Sequence, residues 1–281
     1  MKEDLQSLFP DNRAMGDTTL RQAQLVMLRM LRILDHICRK HGIPYWLESG
    51  TLLGAVRHGG FIPWDDDADI AMLRADFERF RKIAAEELPE DLFFQTAETD
   101  ADYRDVLPRI RDRNSIFVEK DKGYVPHYRG IYLDIFPYDS YPHRAILEML
   151  TLRHRLRQFR RRFPKGSVSR ALYMSGLFTV GLPLILPLYA AEWSAKRFRD
   201  RFFNRPGQDL LSFGVEFYYK VPRVRKDIFP LREVSFEGYK FFAPNRPDTY
   251  LLKKYGDLAV PPEGQRKTHA REIIVNVPLG M

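Results

Sequence analysis

Between Thr18 and Lys40 the apolar residues Leu20, Val26, Leu28, Ile33 and Ile37 stand among polar positions. That spacing predicts one long helix, capped by Thr18 or Thr19 and stopped at Gly42. "IPYWLE" (43–48) reads as a strand, Gly50-Thr51 as a turn, and "LLGAVRH" (52–58) as a short helix. "GGFIPWDD" is loop by its Gly59, Gly60 and Pro63, and "ADIAML" (68–73) is a second strand, antiparallel to the first. A helix over 76–88 stops at Pro89, and "IYLDIFPYD" (131–139) is a strand whose interior acid is Asp134. Further on, "LREVSFEGYKFFAP" (231–244) predicts a hairpin turned at Glu237-Gly238, and 246–257 a helix. The tail "VPPEGQRKTHAREI" is expected to be loop. Helices alternating with a few strands predict an α/β (α+β) chain built on a small mixed sheet flanked by helices.

The stretch 143–215 follows a different pattern. Met149, Leu152, Leu156, Phe159 and Phe163 recur at steps of three and four, and "RHRLRQFRRRFPK" carries seven Lys or Arg and no acid. This is an amphipathic helix with a strongly basic face. Ala171 to Ala191 then runs for 21 residues without a charge, interrupted by Gly176, Gly181, Pro183 and Pro187. The prolines argue against a plain membrane span and for a buried hairpin or a membrane-dipping segment. The pair of features predicts a helical insertion facing an anionic membrane surface, with an ordinary core hairpin as the competing reading. The expected organisation is therefore a catalytic core over 16–142, the insertion over 143–215, and a hairpin, helix and basic tail over 216–281.

Composition narrows the classes. The 281 residues are 44% hydrophobic, 13% aromatic and carry a net charge of +8, which describes a globular chain and not a disordered one. The opening "MKEDLQSLFPDNRAMGD" has no apolar run of the secretory kind. Cys38 is the single cysteine, which excludes an internal disulfide and a cysteine-built zinc site. Its place in a helical pattern predicts a buried thiol. A cytoplasmic setting, at the inner face of the membrane, is expected. The basic run comes without an RNA-binding aromatic pattern or a DNA-reading motif, so nucleic acid is not expected as a partner.

Against that positive balance, Asp65, Asp66, Asp67 and Asp69 fall within five positions and lead straight into the apolar Ile70-Ala71-Met72. On a strand Asp67 and Asp69 point the same way, about 6–7 Å apart. Their repulsion is about 0.6 kcal/mol in water but about 2.5 kcal/mol at an effective dielectric near 20. A solvated acidic turn tolerates the first figure; the end of a buried strand needs a cation, and Mg²⁺ or Mn²⁺ takes carboxylate oxygens while leaving positions for phosphate.

The phrase "GTLLGAVRHGGFIPWDDDADI", Gly50 to Ile70, resembles the signature of the LicD family, whose animal relatives include fukutin and the fukutin-related protein. "YLDIFPYD" (132–139) and "FPLREVSFEGYKFFAPNRPDTYLLKKYGD" (229–257) are similar to two further family stretches. Ala68 stands where the family more often has a larger aliphatic residue, and the tail "AVPPEGQRKTHA" matches only loosely. The resemblance implies a nucleotidyltransferase-like fold. It implies that Gly50 and Thr51 hold donor phosphate through backbone N–H groups at a helix start, where unpaired donors and a partial positive charge favour anions. It makes Asp67 and Asp69 the metal-bearing catalytic pair, with Asp65 an outer ligand. Asp134 is the third catalytic carboxylate, sharing the metal or taking the acceptor's proton. Asp66 is read as a solvated or capping residue.

The implied reaction moves a phospho-alcohol such as phosphocholine from a CDP-alcohol donor (CDP-choline, for example) to a sugar hydroxyl of a cell-surface glycan or its lipid-linked precursor, releasing CMP. Arg57 and His58 are candidates for the pyrophosphate, or Arg57 merely complements a helix C-terminus. Arg266, Lys267 and His269, with Tyr255, are donor-binding candidates carried by the family likeness. Arg109, Arg111 and Arg113 would share one strand face, turned to phosphate or to solvent. Trp64 offers a stacking face for a base or a choline headgroup, or a packing surface. Two other readings stand beside this one. One is a nucleotidyltransferase that modifies a small molecule or protein and releases pyrophosphate; the other is a non-catalytic, basic, membrane-peripheral binding protein.

Overall fold

Thr18 caps the first long helix by accepting the Arg21 N–H at 3.1 Å. In this computed structural model a single turn, α1 (Leu5–Leu8), precedes that helix, α2 (Thr19–Lys40). The structure describes residues 3–103, 105–120, 129–151, 197–217, 220–260, 263–266 and 268–276, with Val168, Ser175, Ala190, Trp193 and Ser194 between them. The inner face of α2 buries Val26, Met27, Leu31, Leu34 and Ile37, and the Cys38 thiol lies inside with them. Arg39 and Lys40 occupy the last turn, where positive charge suits the helix dipole. Gly42 follows with a positive φ of 57°, which lets the chain leave the helix.

The chain falls into two compact units, residues 1–137 with 227–281, and residues 138–226. In the first, β1 (Trp46–Leu47) pairs antiparallel with β2 (Asp69–Leu73), Trp46 opposite Ala71 and Leu47 opposite Ile70. Between them lies α3 (Ser49–His58), so Gly50 and Thr51 belong to the first helical turn and not to a separate turn. After α4 (Arg74–Glu87) come β3 (Leu92–Gln95), β4 (Arg109–Asp112), β5 (Ile116–Glu119) and β6 (Tyr132–Tyr141). The strands of this unit's sheet run in the order β1-β2-β6-β4-β3. β2 and β6 are therefore neighbours, joined by Asp134 N–H donating to Ala68 O at 2.8 Å.

Further along the chain, β9 (Arg232–Phe236) and β10 (Tyr239–Ala243) form the expected hairpin. Glu237 (φ 51°) and Gly238 (φ 80°) turn it with two positive φ angles, the requirement of a type I′ turn. Helix α5 (Pro247–Tyr255) begins with Pro at a position where its missing N–H is harmless, and packs against α3. The tail is not all loop. β11 (Ala270–Ile274) pairs with β5, because Ile273 and Ile274 find Phe117 and Ile116 opposite them.

In the second unit the end of β6, Tyr138–Tyr141, pairs with β7 (Leu210–Phe213), and β7 with β8 (Arg223–Val224). Tyr141, Leu147, Leu150, Phe203 and Val215 form its core. The basic run Arg153–Lys165 lies outside the described residues, as does Ala171–Ala191 apart from Ser175 and Ala190. Among the described residues no helix is long and apolar enough to cross a membrane.

Candidate active site

Two hydrogen bonds bring the start of α3 to the start of β2. Glu48 N–H donates to Asp69 O at 3.0 Å, and Asp69 N–H donates to Thr51 Oγ1 at 2.8 Å. The Thr51 hydroxyl thus anchors the acidic strand from behind. The acidic loop is held from α2, where buried Gln24 donates to the Asp65 carbonyl at 3.1 Å. Gly50 and Asp65 pack so closely that a Cβ on residue 50 would stand 2.6 Å from Asp65 Oδ2. Only glycine allows that approach.

These elements enclose a cavity of about 680 Å³. Ser49 and Gly50 of α3, Asp65 and Asp67 of the loop, Asp69 of β2 and Asp134 of β6 line one part of it. Arg109 of β4, Lys254 and Tyr255 of α5, and Thr268 and His269 ahead of β11 line another part. First-turn N–H groups of α3 sit at this wall, since the first helical hydrogen bond is Leu52 N–H to Glu48 O at 3.0 Å.

The electrostatics are uneven. Burial pushes the Asp65 carboxyl up to about 8, and the charges of Asp67 and Asp66 push it the same way. Asp69 is raised well above the carboxylate range by burial, then by Asp67 and Asp134. Burial also raises Asp67. It pushes Asp134 up to about 6, against the opposing pull of Arg109. The hydrogen bond to Asp66 lifts His269 to about 9, with the Asp67 charge adding to it.

Asp66 behaves differently from its neighbours and corrects its sequence reading: it is buried, 3% exposed. Burial alone would raise it. The His269 bond and two backbone donors outweigh that and hold it below the usual range. It accepts His269 N–H at 2.9 Å, Ala270 N–H at 2.7 Å and His269 Nδ1 at 3.1 Å. His269 Nδ1 also lies 3.2 Å from Asp67. Ligand atoms of Asp66, Asp67 and His269 fall within 4.8 Å of one another, a spacing that suits a metal. Asp66, however, already has its hydrogen-bond partners. Asp65, Asp67, Asp69 and Asp134 line the cavity beside it. Their carboxylates are raised by desolvation and mutual repulsion and, as oxygen donors, suit a hard divalent cation, while Asp134 also accepts from Arg109 and Asp67 lies against His269.

The remaining sequence candidates divide. His269 lines the cavity, while Arg266 stacks on Trp64, its guanidinium 4.3 Å from the ring centre, and Trp64 lines the cavity in turn. Arg57 and His58 do not line it. Arg57 donates to the Leu258 and Ala259 carbonyls at 3.0 and 3.2 Å and ties down the chain after α5; His58 is exposed. Lys267 lies outside the described residues. Arg109 and Arg111 are buried, so their strand face is neither solvated nor open along its length. Arg111 donates to Gln95 and to Gly130 O. Sequence reasoning missed Glu48, Tyr250 and Lys254, whose one legible signal was the four-residue spacing of Tyr250 and Lys254 on a predicted helix.

Residues 42–171 match the family described as LicD/FKTN/FKRP, nucleotidyltransferase domain. The chain is 30% identical over 268 residues to the lipopolysaccharide cholinephosphotransferase LicD of Haemophilus influenzae, a match covering 91% of this chain and 97% of that protein. It is 57% identical over 35 residues to the human ribitol 5-phosphate transferase FKRP, 12% of this chain and 7% of that one. An uncharacterized Rickettsia typhi protein is 46% identical over 59 residues, 21% of this chain and 19% of its own length. With one relative matched along nearly its whole length and a cavity walled by the family's acidic phrase, the chain belongs to the LicD family and is an enzyme of the LicD transferase type.

Proposed function

We propose that the enzyme transfers a phospho-alcohol, phosphocholine first among them, from a CDP-alcohol to a sugar hydroxyl of a cell-surface glycan or its lipid-linked precursor. The observation that carries this reading is the set of raised carboxylates, half-buried to buried, that line one cavity at the start of α3, in a chain 30% identical to a cholinephosphotransferase. Such a set disfavours a purely structural acidic turn, since taking several neighbouring carboxylates out of water costs a fold stability.

In the proposed reaction the acceptor oxygen attacks the phosphorus that carries the alcohol. The bond from that phosphorus to the bridging oxygen breaks, CMP leaves, and the hydroxyl proton passes to a base. Asp67 and Asp69 hold Mg²⁺ or Mn²⁺, with Asp65 at the margin. When bound, the metal neutralises phosphate charge. The first-turn N–H groups at Gly50 and Thr51 orient the diphosphate. Asp134 takes the proton; a carboxyl at about 6 is near the working pH of a general base. His269, as imidazolium, fixes the Asp66–Asp67 turn that presents the ligands. The basic and uncharged runs within 143–215 are assigned to peripheral attachment at the inner membrane face, which brings the enzyme to a lipid-linked acceptor.

The test is CMP release from CDP-choline, CDP-ethanolamine, CDP-ribitol and CDP-glycerol, with Mg²⁺ and a membrane extract as acceptor. One donor should yield CMP, and Asp67→Asn and Asp69→Asn should abolish the release. Pyrophosphate release from nucleoside triphosphates, with every CDP-alcohol inert, would move the assignment to the nucleotidyltransferase reading. No turnover of either kind, with vesicle binding unchanged in both variants, would favour the binding-protein reading.

A further inference from the structure

The cavity's cations are not equivalent. Arg109 lies 2.6 Å from Asp134 and 3.0 Å from Glu119. His269 lies against Asp66 and Asp67. Both are engaged by acids of the site itself. Lys120 reaches the Thr268 hydroxyl from an exposed position. Lys254 is paired too, but with Glu48, a fully buried acid that does not line the cavity. Its side chain is only 14% exposed, its ammonium donates to Ser49 Oγ at the first residue of α3, and the Glu48 carboxylate it faces stands 3.7 Å away.

That position is built from behind. Glu48 is fully buried and accepts hydrogen bonds from Tyr250 OH and, at 3.2 Å, from Ser49 Oγ. Tyr250 OH in turn accepts Trp46 Nε1–H at 3.1 Å. Tyr250 and Lys254 are one helical turn apart on α5, so the Trp46–Tyr250–Glu48 chain sets which face of α5 meets α3. Ser49 has a φ of 49°, an uncommon conformation for a residue with a side chain. The ammonium, backed by Glu48, therefore stands at the wall that carries the first-turn N–H groups of α3, within the cavity that the acids line.

We propose that Lys254 is the cation that binds the donor's diphosphate, on the phosphate that departs with cytidine. This rests on the CDP-alcohol reading above. The charge that grows on the leaving CMP oxygen then meets the ammonium, and a cation held by the carboxylates would supply further charge neutralisation to the diphosphate. Glu48 and Tyr250 are positioning residues in this account.

The experiment measures equilibrium binding of CDP, cytidine and inorganic pyrophosphate, with Mg²⁺ present, to the full-length wild type, Lys254→Met and Lys254→Arg, with a thermal melt for each. Wild type should bind CDP more tightly than cytidine. Lys254→Met should weaken CDP and pyrophosphate by about tenfold or more while leaving cytidine unchanged, and Lys254→Arg should recover most of the loss. Lys254→Met binding CDP as wild type does, whether its melting temperature holds or falls, would overturn the proposal and leave the lysine a structural partner of Glu48. Lysine-dependent binding of pyrophosphate without any binding of CDP would uphold the anion site and reject the CDP donor. Binding of neither by wild type would reject both.

Discussion

Arg109 and Asp134 face each other across β4 and β6 as register partners, and Arg109 Nε donates to Asp134 Oδ1 at 2.6 Å. Both side chains are almost wholly buried, at 6% and 8% exposure. Arg109 also stacks on Tyr132, its guanidinium 4.1 Å from the ring centre. A cation thus sits inside the sheet beside a carboxylate that the proposed reaction uses.

Removing the arginine leaves Asp134 buried beside other acids. Arg109→Met should destabilise the protein by about 3–5 kcal/mol, the usual penalty for breaking one side of a buried pair. Urea unfolding of the metal-free protein measures it. A loss below about 1 kcal/mol would mean that water already reaches the pair.

The metal-free enzyme should lose stability as pH rises. Asp65, at about 8, and Asp134, at about 6, both hold their protons more tightly folded than at the ordinary 3.8. Their contribution is complete at low pH and declines as pH rises from the unfolded value through the folded one. His269, raised from 6.5 to about 9, has the same sign over a higher range. Asp66 has the opposite sign, since its lowered carboxyl stabilises the fold above the unfolded value. The melting temperature in chelator should therefore drop by several degrees between about pH 6 and about pH 9, and Mg²⁺ or Mn²⁺ should flatten the slope. A melting temperature that climbs with pH in chelator contradicts the assigned shifts.

Gly50→Ala places a methyl group 2.6 Å from Asp65 Oδ2. The carboxylate has to move, and activity should fall by about 10²-fold while the fold survives. Turnover and Mg²⁺ calorimetry on the same preparation test this together. Wild-type activity in the variant would show that Asp65 has no part in the site.

Glu237 pins the Gly59–Phe61 loop. It donates its own N–H to Gly59 O at 2.8 Å, accepts Phe61 N–H at 3.0 Å, and pairs with Arg21 at 2.6 Å. Burial opposes its ionisation, but the Arg21 and Phe61 bonds hold its carboxyl below the usual value. Glu237→Ala should cost about 1–3 kcal/mol near neutrality. Because the folded value is lowered, the difference from wild type should be present above the unfolded value and shrink as pH falls through the folded one. A penalty independent of pH would assign the effect to packing instead.

Much of the architecture was legible along the chain. The bounds of α2 follow from a cap, an apolar stripe and Gly42; the β9–β10 hairpin follows from Glu237-Gly238; and the antiparallel pairing of β1 and β2 follows from the compact segment between them. Asp65, Asp67, Asp69 and Asp134 do line one cavity. Where local reading failed, an unusual environment prevailed over residue type. Asp66, read as solvated or capping, and Arg111, read on a face turned to phosphate or to solvent, are each buried because each meets enough partners. The β11 strand escaped notice because its partner, β5, lies some 150 residues earlier by sequence number.

The sequence by itself determined α2, α4 and α5, the hairpin, the acidic phrase and the family, since caps, turn residues and periodicity act over a few neighbouring residues. Only the tertiary structure decided which charges neutralise which. Asp66 meets His269 across 203 positions and Ser49 meets Lys254 across 205. Such pairs carry no periodicity, and their strength comes from burial that exists only once the sheet has closed around them.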